Sequence, residues 1–426
     1  MKELKDLTVE TLCVQGGYQP KNGEPRILPI FQSTTYKYDD ADEVAALFDL
    51  EKDGHMYSRI SNPTVNAFEE KIAQMEGGVG ALATSSGQAA TLLAILTICS
   101  AGEHIVAMNN LYGGTYTLIG STLEKFGIKT TFVHLNNVEE LENAIQDNTK
   151  LIFSETIGNP GVDVLDIELV ANVAHKNNIP LIVDNTFATP YLCRAFDFGA
   201  DIITHSTTKF LDGHATSVGG IIVDSGKFNW NNGKFSCLTD KDPNYHGLSY
   251  TETFKEQAYI TKARVVFMRD LGTTMSPFNA FLTNLGVETL ALRMDKHSTN
   301  ALKVAKYLEK QEKVDWVNYP LLEENKNYEL SKKYLSKGAS GIISFGVKGG
   351  TEETKKWINN LKLTTLVVHV GDIRTHALHP ASMTHRQLSE EAQIEAGILP
   401  NMVRLSVGIE NVDEIIEDLD QAFKKI

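Results

Sequence analysis

Between Gly102 and Asp184 the chain is built of apolar blocks of two lengths. Short apolar runs predict strands at His104 to Met108, Lys129 to His134, Leu151 to Glu155 and Leu181 to Asp184. Longer stretches between them place apolar residues at helical spacing, predicting helices at Tyr116 to Phe126, near Val138 to Ile145, and at Leu169 to Lys176. This succession implies right-handed βαβ units and a mostly parallel central sheet with helices on both faces. Upstream, Val65, Phe68, Ile72 and Met75 follow Pro63 at helical spacing. That helix ends at Gly77-Gly78, a short strand follows, and an apolar helix runs from Thr91 to Ile98.

Two stretches break the rhythm. Residues 1 to about 60 have little periodicity and carry Gly16-Gly17, Pro20, Gly23-Glu24-Pro25 and Pro29, the marks of an extended arm lying on another subunit or along its own surface. Ser225 to Thr261 is polar and aromatic-rich, with Trp230, Tyr245-His246-Gly247, Tyr250 and Phe254; a connection this long is expected to be functional or a lid. Helical periodicity returns at Pro277 to Arg293 and continues through Ala301 to Leu308, an element suited to bridging two domains. Strands at Gly341 to Val347 and Val403 to Val407, and a last helix capped by Asn411 with Glu414 three residues on, predict a smaller C-terminal α/β domain. The expected division is an arm at 1–60, a large domain at 61–270 and a small domain with its bridging helix at 271–426.

The strand ends carry the chemistry. Leu181-Ile182-Val183-Asp184 delivers a carboxylate to the carboxyl edge, where open α/β sheets bind ligands. A strand from Asp201 to Thr204 then runs into Thr204-His205-Ser206-Thr207-Thr208-Lys209, the lysine standing twenty-five residues after Asp184. An acid and a lysine so placed suit pyridoxal phosphate: the lysine attaches the aldehyde, and the carboxylate keeps the pyridine nitrogen protonated so that the ring acts as an electron sink. Ser206 and Thr208 flank the lysine within reach of a phosphate. In Ala83-Thr84-Ser85-Ser86-Gly87-Gln88-Ala89-Ala90 small residues precede a helix, which suits an anion site and equally an ordinary serine N-cap. Leu111-Tyr112-Gly113-Gly114-Thr115 offers a ring able to stack on a flat cofactor, and Glu155 to Pro160 offers the Asn159 amide; both stretches are also plain turn formers. Tyr57 and Arg59 fall on a loop, either as a surface pair or as partners of a phosphate.

Other chemistries fit less well. Gly78-Val79-Gly80-Ala81-Leu82-Ala83 matches G-x-G-x-x-A, but a nicotinamide site needs a strand before and a helix after, the reverse of the order here. His376, His379 and His385, with His369 before them, are spaced by three and six residues across Pro380, so no helical metal motif forms and no metal is expected. The 426 residues are 42% hydrophobic and 22% charged, an ordinary globular balance for two or three domains. No apolar run approaches the ~20 residues of a membrane span and Met1 to Asp6 lacks a signal-peptide core, so a cytoplasmic protein is expected. The formal charge of −14 argues against nucleic acid or an anionic membrane as partner. Cys13, Cys99, Cys193 and Cys237 are far apart and read as reduced thiols.

Seven stretches occur together and in order: Tyr57-Ser58-Arg59, Ser86-Gly87-Gln88, Leu111 to Thr115, Asp184-Asn185-Thr186, Ser206 to Lys209, His379 to His385, and Val403-Arg404-Leu405-Ser406-Val407-Gly408. Over nearly the whole chain they resemble the Cys/Met-metabolism (transsulfuration) family of pyridoxal-phosphate enzymes. The resemblance implies fold type I, the aspartate-aminotransferase-like transferase fold, in a homotetramer built from dimers with shared active sites. It casts Lys209 as Schiff-base lysine and proton shuttle, Asp184 as partner of the pyridine nitrogen, and Tyr112 as ring stacker and aid to proton transfer. Gly87, Gln88, Ser206 and Thr208 are implied to hold the phosphate, with Tyr57 and Arg59 reaching it from the neighbouring subunit. Arg404, aided by Asn159, is implied to clamp the substrate carboxylate. Asp242 to Leu248 is similar to the O-acetylhomoserine sulfhydrylase branch, whose substrates are O-acetylhomoserine and sulfide, and Gly114 stands where methionine γ-lyases typically carry cysteine. His369 departs from the Asn or Ser frequent in relatives. Rival readings are a methionine or cystathionine γ-lyase or a cystathionine γ-synthase of the same family, a zinc hydrolase, and a nucleotide-binding regulator.

Overall fold

The computed structural model describes residues 7–384, 386, 390–395 and 397–426. Seven strands form the larger sheet: β1 (Gly80–Thr84), β2 (His104–Met108), β3 (Lys129–Val133), β4 (Thr149–Glu155), β5 (Leu181–Asp184), β6 (Ile202–His205) and β7 (Gly220–Asp224). Their order is β1-β7-β6-β5-β4-β2-β3, with β7 alone antiparallel to its neighbours. The mostly parallel sheet expected from the alternation is therefore present. Strands β2, β5 and β6 are buried on both faces, which is why they read as continuous apolar runs, whereas the edge strand β3 is only partly covered. Successive side chains go to opposite faces: Val106 and Met108 join one apolar core and Ile105 and Ala107 the other.

The first core is closed by α1 (Val9–Gln15) and α3 (Pro63–Glu76), the second by α4 (Gly87–Leu96). The stretch read as an extended arm thus holds α1 and also α2 (Ala41–Phe48). Helices this short are marginal alone. Packing makes the first possible, because Val9, Leu12 and Cys13, three and four residues apart, are all buried.

Ser225 to Thr261, expected to be functional or a lid, is packed over the second core. Trp230, Phe235, Tyr250 and Tyr259 are buried there, Trp230 stacked on Tyr259 at 5.4 Å between ring centres. Burial of such large rings fixes the segment against the sheet.

Element limits shift where local chemistry intervenes. The helix expected at Tyr116 to Phe126 starts at Gly113 and passes from an α turn (Gly113–Thr117) through a π turn (Leu118–Thr122) to a 3₁₀ turn (Leu123–Phe126). Thr130 donates from β3 to the Ile119 carbonyl within the widened turn. The helix expected from Thr91 begins at Gly87, capped by Ser86. The long C-terminal helix breaks at Thr289 into Pro277–Glu288 and Leu290–Leu308.

A second sheet packs β8 (Val314–Asn318), β9 (Ile342–Val347), β10 (Thr365–Leu366), β11 (His376–Leu378) and β12 (Met402–Ser406) in the order β10-β11-β12-β9-β8. All its pairs are antiparallel except β10 with β11. The last helix, Val412–Phe423, is capped by Asn411, whose side chain accepts from the Asp413 N–H. His385, one of the histidines considered for a metal, lies outside the described residues. His376 donates from Nδ1 to Arg374 O (2.9 Å), and His379 uses both nitrogens, donating to Pro400 O and accepting from the Ser382 hydroxyl, each at 2.8 Å.

Candidate active site

A cavity of about 280 Å³ opens at the carboxyl ends of β4, β5 and β6 and is closed on its far side by β12 and the residues after β10. Gly87, Gln88, Tyr112, Asn159, Asp184, Ser206, Thr208, Lys209 and Arg404 all line it. Tyr57 and Arg59 do not: Arg59 donates to the Arg269 carbonyl with its guanidinium 5.4 Å from the Tyr57 ring, and both residues are exposed.

The floor is a buried polar network. His205, ending β6, meets Glu76 through Nε2 and Oε1 at 2.6 Å, both side chains fully buried, and Asn185 Nδ2 donates to the same oxygen at 3.1 Å. Thr186 then ties the two parts of the site together. Its N–H donates to Asp184 Oδ1 and its hydroxyl oxygen accepts from Ser206 N–H, both at 2.9 Å. Asp184 is half-buried, and burial raises its carboxyl above the ordinary range.

From the lysine turn, Lys209 Nζ donates to His369 Nδ1 at 3.2 Å. Burial first, and the Arg404 charge second, lower the lysine to about 8. His369 is lowered to about 4, by burial and then by the lysine charge, so at neutral pH its ring is a neutral acceptor. Gly371 has φ +78°, and a Cβ there would stand 2.7 Å from Phe210 N and 3.1 Å from the Lys209 carbonyl carbon. Glycine lets the His369 loop close on the lysine turn.

At the opposite wall Ser86 Oγ accepts from Ala89 N–H at 3.1 Å, and Ala90 N–H bonds Ser86 O. Gly87 and Gln88 N–H lie before these at the open start of the helix. The approach is tight: a Cβ on Gly87 would meet the Ser206 Cβ at 2.6 Å, and one on Gly220 would meet Ser86 O at 2.1 Å. Thr208 instead spends its hydroxyl within the protein, donating to Gly219 O and accepting from Gly219 N, both at 3.1 Å.

Tyr112 stands between these walls, its N–H donating to Glu155 Oε1 at 2.7 Å. Its ring rests against Gly114, where a Cβ would come within 2.5 Å of Tyr112 Cε1 and 3.0 Å of Gln88 Nε2. Arg404, 6% exposed, donates from Nη1 to Asn159 Oδ1 (2.9 Å) and from Nη2 to His369 O (3.2 Å).

This donor set fits pyridoxal phosphate. A lysine of lowered basicity suits the aldehyde, a carboxylate the ring nitrogen, an aromatic ring the ring face, and unfilled helix N–H groups beside Ser206 the phosphate. Glu155, Thr186 and His369, which line the cavity and bond Tyr112, Asp184 and Lys209 respectively, were absent from the sequence-derived set of site residues. Glu155 carries the signal that singled out Asp184, an apolar strand ending in an acid; Thr186 lies in the Asp184-Asn185-Thr186 motif without an assigned role; His369 was visible only as a departure from relatives.

The family described as Cys/Met metabolism PLP-dependent enzyme matches residues 10–424. The O-acetyl-L-homoserine sulfhydrylase of Leptospira meyeri is 49% identical, with 98% of this chain and 97% of that protein aligned. The homocysteine synthase of Schizosaccharomyces pombe is 46% identical, with 97% and 98% aligned. A Campylobacter jejuni protein assigned as an O-acetylhomoserine (thiol)-lyase, solved with N'-pyridoxyl-lysine-5'-monophosphate, superposes with a TM-score of 0.95 at 39% identity, covering 98% of this chain and all of that one. The metB protein of Corynebacterium glutamicum gives 0.85 at 34% identity, with 99% of both chains covered. The expected fold type I is therefore the fold observed, and agreement of this extent in sequence and structure places the chain in one family: it belongs to the Cys/Met-metabolism family of pyridoxal-phosphate-dependent enzymes.

Proposed function

We propose that the protein is an O-acetylhomoserine sulfhydrylase, replacing the γ-acetoxy group of O-acetylhomoserine with sulfide to give homocysteine and acetate. The observation that carries this is the 44–49% identity, over nearly full length, to relatives named for that substrate or product. When bound, the cofactor supplies the electron sink that lets the α and β protons leave and acetate depart from Cγ.

The chain's own residues do the rest. Arg404, its Nη1 bonded to Asn159, holds the substrate carboxylate, a two-pronged task suited to a guanidinium. Lys209 Nζ, the amine that would attach the cofactor, would remove and return protons at the substrate, with neutral His369 as its acceptor. Asp184 keeps the ring nitrogen protonated, and Tyr112 covers the ring face and assists proton transfer. Gly87 and Gln88 N–H and the Ser206 hydroxyl hold the phosphate, with Thr208 bracing the loop beside them. The reading includes a large cofactor-binding domain at 61–270, a small domain at 271–426 and a cytoplasmic homotetramer. Product analysis with O-acetylhomoserine tests the activity: with sulfide present homocysteine dominates over 2-oxobutanoate, and rapid 2-oxobutanoate formation from methionine would count for a γ-lyase instead.

Tyr57 and Arg59 complete the phosphate site of a neighbouring subunit, which accounts for their absence from their own chain's cavity. Arg59→Ala and Lys209→Ala homomers are then each severely impaired, yet regain activity when mixed under conditions of subunit exchange. About half the dimers become mixed, each with one intact site, so recovery approaches roughly a quarter of wild-type sites. Demonstrated exchange with no gain above the parents would place Arg59 in its own chain's chemistry or outside the site.

A further inference from the structure

Glu155 and Asp184 end neighbouring parallel strands in direct register, and both line the cavity. Side chains at paired positions of parallel strands emerge on the same face, so two carboxyls stand side by side. Glu155 is the more deeply placed, at 5% exposed. Its Oε1 accepts the Tyr112 N–H, and the Asn159 N–H also favours its charged form. Asp184 lines the cavity and accepts the Thr186 N–H; the Thr186 hydroxyl and His205 on the adjoining strand also favour its charged form. Among the described residues Glu155 has no such basic neighbour: the charge closest to it is the Asp184 carboxylate, which repels.

Two carboxyls so placed, one buried and one half-buried, each disfavour the ionisation of the other. The proton goes to the one with less support. Burial, then repulsion by Asp184, push Glu155 well above the ordinary carboxyl range.

We propose that Glu155 is a positioning residue acting as a neutral acid: the Glu155–Asp184 pair carries one negative charge, held by Asp184, while protonated Glu155 braces the Tyr112 loop. This deepens the reading above and rests on its assignment of Asp184 to the ring nitrogen. Because Oε1 receives the Tyr112 N–H, the proton resides on Oε2. The residue that stacks on the ring and the acid that meets its nitrogen are thereby held at adjoining strand ends, with a single anion between them.

Infrared spectroscopy of the full-length protein reads the protonated carboxyl through its C=O stretch. Because other buried carboxyls, Asp224 among them, are also raised, the readout is the difference between wild type and Glu155→Gln, which at neutral pH contains one protonated-carboxyl band. In protein freed of its cofactor, Asp184→Asn removes the repelling charge and lowers the pH midpoint of the band by about one unit, a tenfold change in proton affinity. Turnover gives a second readout: Glu155→Ala lowers kcat about tenfold by leaving the Tyr112 N–H without its acceptor, and the conservative Glu155→Gln recovers most of that loss. A difference spectrum without the band, or a midpoint indifferent to Asp184→Asn, overturns the proposal. Should the Gln variant fail to fold, the comparison of wild type with Asp184→Asn decides alone. An Asp184→Asn enzyme with a shifted midpoint and unimpaired turnover would overturn the ring-nitrogen assignment while leaving the shared charge in place.

Discussion

Lys209→Ala lowers the turnover of O-acetylhomoserine with sulfide by more than about 1,000-fold, the upper reach of what one positioned acid–base group contributes. The case rests on the state of the amine. At its ordinary value of 10.5 a lysine would be neutral in roughly one molecule in three thousand at pH 7; lowered to about 8, it is neutral in roughly a tenth. Burial and Arg404 thus supply a base that is usable and still able to carry a proton. The sign also gives a pH dependence. The neutral fraction grows as pH rises and saturates above about 8, so the rate at which added cofactor attaches to cofactor-free protein climbs to about pH 8 and then levels. The loss in Lys209→Ala is not a loss of fold. A buried lysine whose folded value lies below its unfolded one opposes folding at pH below that range, so removing it leaves thermal stability at neutral pH unchanged or raised. A variant that melts like wild type and retains a tenth of its turnover would remove Lys209 from the chemistry.

Arg404→Ala acts on the substrate rather than the cofactor. The guanidinium is nearly inaccessible and bonds Asn159 Oδ1 and His369 O, so its removal deletes the carboxylate partner and leaves a buried and a partly buried acceptor without their donor. Losing one side of a buried charge-assisted contact costs about 3–4 kcal/mol, so kcat/KM for O-acetylhomoserine falls roughly 200- to 1,000-fold, with most of the change in KM. The cofactor's absorbance is unchanged. Arg404→Lys recovers little, because one ammonium cannot keep both protein contacts while gripping a carboxylate from two sides. Burial lowers Arg404 to about 10, which leaves it charged across the neutral range, so the defect is not relieved by a change of pH there. A kcat/KM within tenfold of wild type would mean the carboxylate is held elsewhere.

What could be read from the chain follows the physics of each part. β2, β4, β5 and β6 are buried on both faces, so their apolar runs stand out, and an acid closing such a run marks the carboxyl edge; Asp184 and Lys209 were legible for that reason. The same signal marked Glu155, but its bond to Tyr112 joins residues 43 apart in sequence and arises only from folding. His369 reaches Lys209 across 160 residues because Gly371 permits a close approach, which no local pattern announces. Thr208, expected at the phosphate, lines the cavity and also bonds Gly219 eleven residues on, a contact that arises only from folding. In Ser225 to Thr261, expected to be functional or a lid, the size of the aromatic residues makes them core, a packing role that their irregular spacing does not announce. Helix α1 had its signal at Val9, Leu12 and Cys13, obscured by the glycines and prolines that follow.

The central claim, that this cavity holds pyridoxal phosphate on Lys209, is tested most directly by reducing the native protein with borohydride and mapping its peptides. The account predicts a single pyridoxyl label, on the peptide carrying Ser206-Thr207-Thr208-Lys209. A label on any other lysine, or no label on protein that carries its cofactor, would contradict it.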